Sequence, residues 1–527
     1  LSCSTSVAID VESKALVESE NEKNATIVGV KPPGYKNEAK LQRGSALKQV
    51  IAAFIANLGT INTGLVFGFS AVAIPQLEEE DSVIKINDEQ ASWIASLSSV
   101  TTPIGCIVSG YLMDLIGRKR TLIITEIPLI LGWILISTSS AVEMIYVGRL
   151  LVGLGSGMVG APARVYTGEV TQPHLRGMLS ALASVGVSLG VLIEYALGAV
   201  VTWQVLAGIS AAIPMMALLL IMLMPETPNY LLSRGRTEEA KAALKKFRGE
   251  TCNVDKEIDD LVCFAAKNNV VRLKGWKETL HAVLSPAALK PFAILFAYFG
   301  IYQFSGVNSV TFYAVQVFKE SGTEMNKYLA TVLLGVVRLL STIVACISLR
   351  RCGRRPLTMI SGIGCGLTMV GLGSYMYMRE GWAAEGIEPV ATWFPVACIF
   401  IFTIACTLGF LVVPWVMIGE VYPTQVRGIV GGMTTCSAHL FVFIVVKTFP
   451  LLQQAASSHG TFWIYGFISL FGTIFFYFCL PETKGRTLQE IEDYFSGRTK
   501  TIGGEPITTL TGHKPMILEP QKGAMLP

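Results

Sequence analysis

Charged residues are scarce in this chain. Asp, Glu, Lys and Arg make up 15% of its 527 residues, against about 25% in a soluble domain, and the mean hydropathy is +0.52. A water-soluble protein of this length needs more polar surface, so that class is excluded. An excess of one sign is also missing: the formal net charge of +4 gives no ground for a nucleic-acid partner. The five histidines are scattered over different loops and spans, and no nucleophile-elbow or phosphate-loop pattern occurs, which argues against an enzyme. No cofactor or metal motif is present either. Cys106, Cys346, Cys365, Cys398, Cys406, Cys436 and Cys479 lie in apolar runs without ligand-like spacing and read as packing residues. Residues 1 to about 46 are polar where a cleavable signal would be apolar, so the first apolar helix is expected to act as the insertion signal.

What the chain does have is apolar runs of bilayer-spanning length. Six lie near 50–75, 91–113, 121–141, 144–168, 178–200 and 203–224, and six more near 291–318, 328–349, 357–377, 393–418, 428–450 and 460–480. The expected fold is an all-α membrane protein of twelve transmembrane helices in two six-helix halves. The expected organisation is a cytoplasmic, disordered tail over 1–46, an N-terminal half over 47–224, a cytoplasmic helical linker over 225–290, a C-terminal half over 291–480 and a cytoplasmic tail over 481–527. The linker carries a Thr237-Glu-Glu-Ala-Lys-Ala-Ala-Leu-Lys-Lys-Phe247 stretch whose apolar spacing fits short amphipathic helices.

Orientation follows from the short loops, because Lys and Arg are retained in the cytoplasm during insertion. One set of loops holds Arg118-Lys119-Arg120, Arg176, Arg350-Arg351, Arg354-Arg355 and Arg427; the opposite set holds Glu78-Glu79-Glu80-Asp81 and Asp88-Glu89. Both termini and the linker are therefore expected in the cytoplasm, and the protein in the cell membrane. On that topology Asn24-Ala25-Thr26, which has the form of a glycosylation acceptor, stays unmodified.

A repeat is the strongest internal signal. Gly168-Glu169-Val170 with Leu175-Arg176-Gly177 recurs as Gly419-Glu420-Val421 with Val426-Arg427-Gly428, an offset of 419 − 168 = 251 residues. Asp114-Leu-Ile-Gly117-Arg118-Lys119 is answered by Arg350-Arg351-Cys352-Gly353-Arg354-Arg355, and Pro225-Glu226-Thr227 by Pro481-Glu482-Thr483. A duplicated six-span unit suits two halves rocking about a central site. Carboxylates and guanidiniums at these helix ends can pair across adjacent helices as a conformational latch, formed when the protein opens outward and broken when it opens inward. The expected members are Asp114, Arg118, Arg149, Glu169, Arg176, Glu226, Arg351, Arg354, Arg355, Glu420, Arg427 and Glu482, with Glu169 facing Arg176 and Glu420 facing Arg427.

Over residues 50–495 the chain resembles a sugar porter of the major facilitator superfamily. The resemblance is carried by Gly110-Tyr-Leu-Met-Asp114-Leu-Ile-Gly117-Arg118-Lys119-Arg120, Arg149, Tyr166-Thr-Gly168-Glu169, Pro225-Glu226-Thr227-Pro228, Gln303-Phe-Ser305-Gly306-Val-Asn308, Pro414-Trp415 and Pro481-Glu482-Thr483-Lys484-Gly485-Arg486-Thr487. The runs Ala161-Pro-Ala-Arg164-Val-Tyr-Thr-Gly-Glu-Val-Thr-Gln-Pro-His174 and Leu349-Arg-Arg-Cys-Gly-Arg-Arg-Pro356 look most like the insect facilitated trehalose transporters. The resemblance implies passage of a sugar, trehalose above others, by alternating access, through a monomer whose partners are the sugar and the lipid bilayer. It puts Gln303, Asn308 and Tyr313 on the seventh span and Trp415 on the tenth at sugar-contact positions. Where glucose carriers have amides or an Asn-Trp pair, this chain has Ser184, Tyr302, Arg338 and Ala438-His439, so a substrate larger or differently shaped than glucose is expected.

Proton-driven relatives carry an Asp on the first span that pairs with the Arg at the start of the fourth, here Arg149; this chain has Ser70 at the matched position and no acidic residue from Leu47 to Gln76. Uniport is the expectation, with proton symport through Glu194 or Glu126, or a sensor without flux, as alternatives. Glu126 is expected to snorkel to the cytoplasmic interface. Arg338 is expected either to bond the substrate, with Glu194 solvated at the outer mouth, or to pair with Glu194 across the halves.

Overall fold

The computed structural model describes residues 45–79, 82, 84–179, 181–249, 254–269, 276–423, 425–486, 488–499 and 501–502. The Asn24 acceptor, Glu80 and Asp81 lie outside the described residues. Among those described the chain is helical nearly throughout, as lipid demands of a spanning chain that must satisfy its backbone internally.

The first half contains α1 (Ala46–Leu77), α2 (Asp88–Ile116), α3 (Arg118–Ser137), α4 (Val142–Val170), α5 (Leu182–Gly198) and α6 (Trp203–Leu223). The second contains α7, in three pieces (Pro286–Phe304, Val307–Phe312 and Ala314–Ser321), then α8 (Lys327–Arg351) and α9 (Arg354–Glu385). α10 runs from Phe394–Cys406 through a π-helical turn, Thr407–Leu411, to Val413–Val421. Spans eleven and twelve run over Arg427–Cys479 as two helices that meet at a kink at Ser457 (φ 63°, ψ 165°), α11 (427–456) and α12 (458–479). The 53 residues would be about 80 Å long if straight, more than twice a bilayer's hydrocarbon core. Ten described helices are long and apolar enough to cross a membrane, α5 is a shorter apolar one, and the longest of the ten counts twice, which gives twelve spans.

Within the first half α1 packs on α5 and α4, and α4 on α2 and α3. Close approach of α1 to α5 rests on glycine: a Cβ on Gly64 would run into the Val187 carbonyl, and one on Gly190 into that of Ile61. Small residues at crossings let helix backbones touch where lipid offers no hydrophobic drive. The second half mirrors this arrangement, with α9 and α7 packed on the α11–α12 pair.

The halves meet along α2 against α11 and α5 against α8. Trp93 lies 6.3 Å from Phe443, Lys447 Nζ donates to Ser92 Oγ at 2.7 Å, and Ser188 and Thr342 share a 2.7 Å hydrogen bond. At the end away from the repeated motifs α7 also closes on α1, with the rings of Phe67 and Phe312 5.2 Å apart. The linker forms helices Pro228–Ser233, Thr237–Arg248, Val254–Asn269 and Trp276–Val283. It is tied to α4 by Arg248, buried and bonded to Glu257 at 2.7 Å and to the Val170 carbonyl at 2.6 Å.

Candidate functional site

The seventh span is expected as one run and is interrupted twice. Gly306, at φ 91°, ends the first piece; Tyr313 separates the second from the third. A broken span puts polar side chains and freed backbone groups at membrane depth, where a site can form. Gln303 and Asn308 flank the Gly306 break, both are buried, and Asn308 Nδ2 donates to the Gln303 side-chain carbonyl. Tyr313 is turned away from them: its hydroxyl donates to the Val446 carbonyl at 3.2 Å and its ring lies 5.0 Å from Phe449.

On α10 the π-helical turn precedes Pro414, and a π-turn re-aims the side chains that follow it. Trp415 meets Phe299 at 5.0 Å and His439 at 5.9 Å, while Phe299 lies 6.4 Å from Tyr302. The structure thus brings Trp415, His439 and Tyr302 into one aromatic group, next to Gln303 and on its motif side. Ser184 stands half-buried near the start of α5. Arg338 lies beside the α7 break: its Nη1 donates to Thr311 Oγ1 at 2.7 Å, and it lines a small cleft with Thr403, Thr407 and Leu411.

Two expectations about buried carboxylates are corrected. Glu194 neither pairs with Arg338 nor faces solvent. It is fully buried inside the first half, accepts from Ser210 of α6 at 3.1 Å and packs over Gly68 of α1. Axial rise fixes how deep a residue sits but not which way it points. The face of α5 toward the other half carries Ser188 and Tyr195, whose hydroxyl donates to the Thr311 carbonyl at 2.6 Å. Glu126 does not snorkel: it too is fully buried, facing Gly59 of α1, with neither oxygen hydrogen-bonded. Sequence reasoning passes over Tyr195, Thr311, Ser188 and Thr342, because hydroxyls in an apolar run are ordinary until a partner helix is placed.

Arg149 is fully buried, and neutral acceptors take its donors: Ser70 Oγ at 2.7 Å, Ser98 Oγ at 3.2 Å and the carbonyls of Ile94 (2.8 Å), Val66 (3.0 Å) and Ala95 (3.4 Å). No carboxylate hydrogen-bonds the guanidinium, although the buried Glu194 carboxylate of α5 interacts with it electrostatically.

The repeated motifs close each half in the same way. Arg118 bonds Glu169 at 3.0 Å and approaches Asp114 at 3.8 Å, while Glu226 accepts the backbone N–H of Arg118 (3.1 Å) and Lys119 (3.0 Å). In the second half Arg354 bonds Glu420 at 2.5 Å, and Glu482 accepts the N–H of Arg354 and Arg355, each at 3.0 Å. A carboxylate on the first N–H groups of a helix satisfies its orphan donors and its dipole together. The partners differ from the expected ones. Arg176 donates to the Thr171 carbonyl at 3.4 Å and Arg427 to that of Tyr422 at 3.1 Å, while Glu169 and Glu420 take Arg118 and Arg354. Each of these pairs lies inside one half. Arg351, the remaining expected member, contributes its carbonyl, which accepts from Lys484 Nζ at 2.6 Å.

Residues 52–495 match the family described as "Sugar (and other) transporter". The chain is 33% identical over 462 residues to the facilitated trehalose transporter Tret1 of Bombyx mori, covering 87% of this chain and 89% of that one. It is 32% identical over 469 residues to the Tret1-2 homolog of Drosophila simulans, covering 89% and 93%. The solved structure of the proton:xylose symporter XylE bound to 6-bromo-6-deoxy-D-glucose superposes with a TM-score of 0.69 at 21% identity, over 86% of this chain and 100% of that one. At that identity the likeness is one of fold, and it agrees with twelve spans in two halves. With a family match over residues 52–495 and two helical halves that share the symporter's fold, this chain belongs to the sugar transporter family of the major facilitator fold.

Proposed function

We propose that this protein is a uniporter for trehalose in the cell membrane, acting as a monomer with both termini and the linker in the cytoplasm. The observation that carries the uniport reading is the Arg149 guanidinium, whose hydrogen bonds go to Ser70, Ser98 and backbone carbonyls and to no carboxylate. Trehalose is supported by the likeness to the Bombyx mori and Drosophila simulans transporters, and by Tyr302, Arg338 and His439 standing where glucose carriers have other groups. In this reading Gln303 and Asn308 exchange their mutual bond for sugar hydroxyls. Trp415 covers an apolar sugar face, and Arg338 and His439 reach the second ring. Tyr313, turned toward Val446 and Phe449, supports the break in α7 and does not touch the sugar itself.

The motif clusters act as braces that keep each half rigid, a different role from the expected latch that forms and breaks between states. Asp114, Arg118, Glu169 and Glu226 brace one helix bundle and Arg354, Arg355, Glu420 and Glu482 the other, so that the halves rock as bodies. Arg149 ties α4 to α1 and α2. Arg176, Arg351 and Arg427 contribute through carbonyl contacts at the same ends.

Uptake of labelled trehalose and of glucose into liposomes tests the substrate and the mechanism together. Saturable trehalose entry should equilibrate and not concentrate, and dissipating a proton gradient should leave its rate within about twofold. Accumulation abolished by a protonophore would establish symport through Glu194 or Glu126 instead. Absence of saturable flux for either sugar would establish a sensor or another substrate.

A further inference from the structure

The 251-residue offset of the repeat relates more than the Gly-Glu motifs. Applied to Arg164 on α4 it gives 164 + 251 = 415, so Arg164 and Trp415 are equivalent positions of the two halves. The pseudo-twofold axis of a duplicated carrier passes between such positions, and here they touch: the Arg164 guanidinium carbon lies 5.6 Å from the centroid of the Trp415 ring. That distance is within cation–π range. Arg164 is exposed although it lies well inside α4, and among the described residues it makes no ion pair or hydrogen bond. An exposed guanidinium inside a span, set against a ring of the opposite half, lines the aqueous space between the halves.

Below this contact the space is open. Gly168 and Gly419 are also repeat equivalents, one turn nearer the motif end, and a Cβ on either would meet nothing within 4 Å. Gly160, one turn on the other side of Arg164, likewise faces open space. Going inward from the motif end, these two unobstructed glycines are followed by the Arg164–Trp415 contact, then by Phe299, Tyr302 and Gln303.

We propose that the Arg164 guanidinium stacked on Trp415 is the inner gate between the motif-side mouth and the sugar site, a positioning role for Arg164 that this chain's sequence supplies. When the halves close on the motif side the stack tightens, and it separates as they open. The gate rests on the carrier reading given above, but its test needs no sugar, so failure of the trehalose assignment and failure of the gate are distinguishable.

The test uses the full-length chain in inside-out vesicles, with Gly160→Cys as a reporter behind the gate and Gly168→Cys as a control in the mouth. Labelling by a membrane-impermeant maleimide is measured above that of the chain without either substitution. Arg164→Leu and Trp415→Ala should each speed labelling at position 160 by about 2- to 5-fold, the population change an exposed cation–π contact supports. The two combined should add nothing further, because they remove one interaction. Labelling at position 168 should be the same in all variants, which also reports an intact fold. Arg164→Lys, which keeps the charge but not the planar stack, should fall between Arg164 and Leu. An unchanged rate at position 160 in Arg164→Leu would overturn the gate. So would a rise in Arg164→Leu that Trp415→Ala does not reproduce, since charge alone would then account for it.

Discussion

Replacing Gly306 with valine is expected to abolish sugar uptake and to reduce the amount of folded carrier. Gly306 sits at φ 91°, where an L-residue is strained, and its Cβ would stand 2.5 Å from Tyr465 Cδ2. The backbone strain alone is about 1–2 kcal/mol, more for a β-branched side chain. The ring cannot retreat freely, because Tyr465 shares a 3.0 Å hydrogen bond with Ser309 and lies 6.5 Å from Phe449 in a stacked pair. Valine must then straighten α7 or displace α12, and either change pulls Gln303 and Asn308 apart. Uptake per folded molecule, with the folded fraction read by size-exclusion chromatography of a fluorescent fusion, checks this. Gly306→Ala should lose less, and Gly306→Ala with Tyr465→Ala should recover folding before it recovers uptake. Wild-type uptake in Gly306→Val would show that the break is not needed.

Gln303→Ala and Asn308→Ala should each raise the apparent KM for the transported sugar while protein still reaches the membrane. A lost hydrogen bond in a buried site is worth about 1–3 kcal/mol, which is roughly 5- to 150-fold. The two amides bond one another, so each single variant leaves the other without its partner. Their effects should consequently fall short of additive in the double variant. Concentration dependence of initial uptake rates supplies the measurement. Unaltered KM in both would move the sugar site away from the α7 break, toward the cleft lined by Arg338, Thr403 and Thr407.

Much of this protein was determined by sequence alone, and the reason is the solvent. Lipid allows few spanning structures, so runs of apolar residues translate directly into helices, and an offset that relates Glu169 to Glu420 and Glu226 to Glu482 translates into two equivalent halves. Even Ser70 opposite Arg149 could be placed in advance, because the matched position carries the chemistry with it. Tertiary structure decided what depends on azimuth. Glu194 and Arg338 stand at reachable heights, yet rotation about α5 sends Glu194 to Ser210 and leaves Tyr195 to bridge toward α7. Glu169 turns to Arg118 and not to Arg176 because α2, α3 and α4 converge at that end, an arrangement no spacing along one strand of sequence encodes. The contact of Arg164 with Trp415 likewise needed both: the repeat made the two positions equivalent, and only the packing of two halves about a common axis set one against the other.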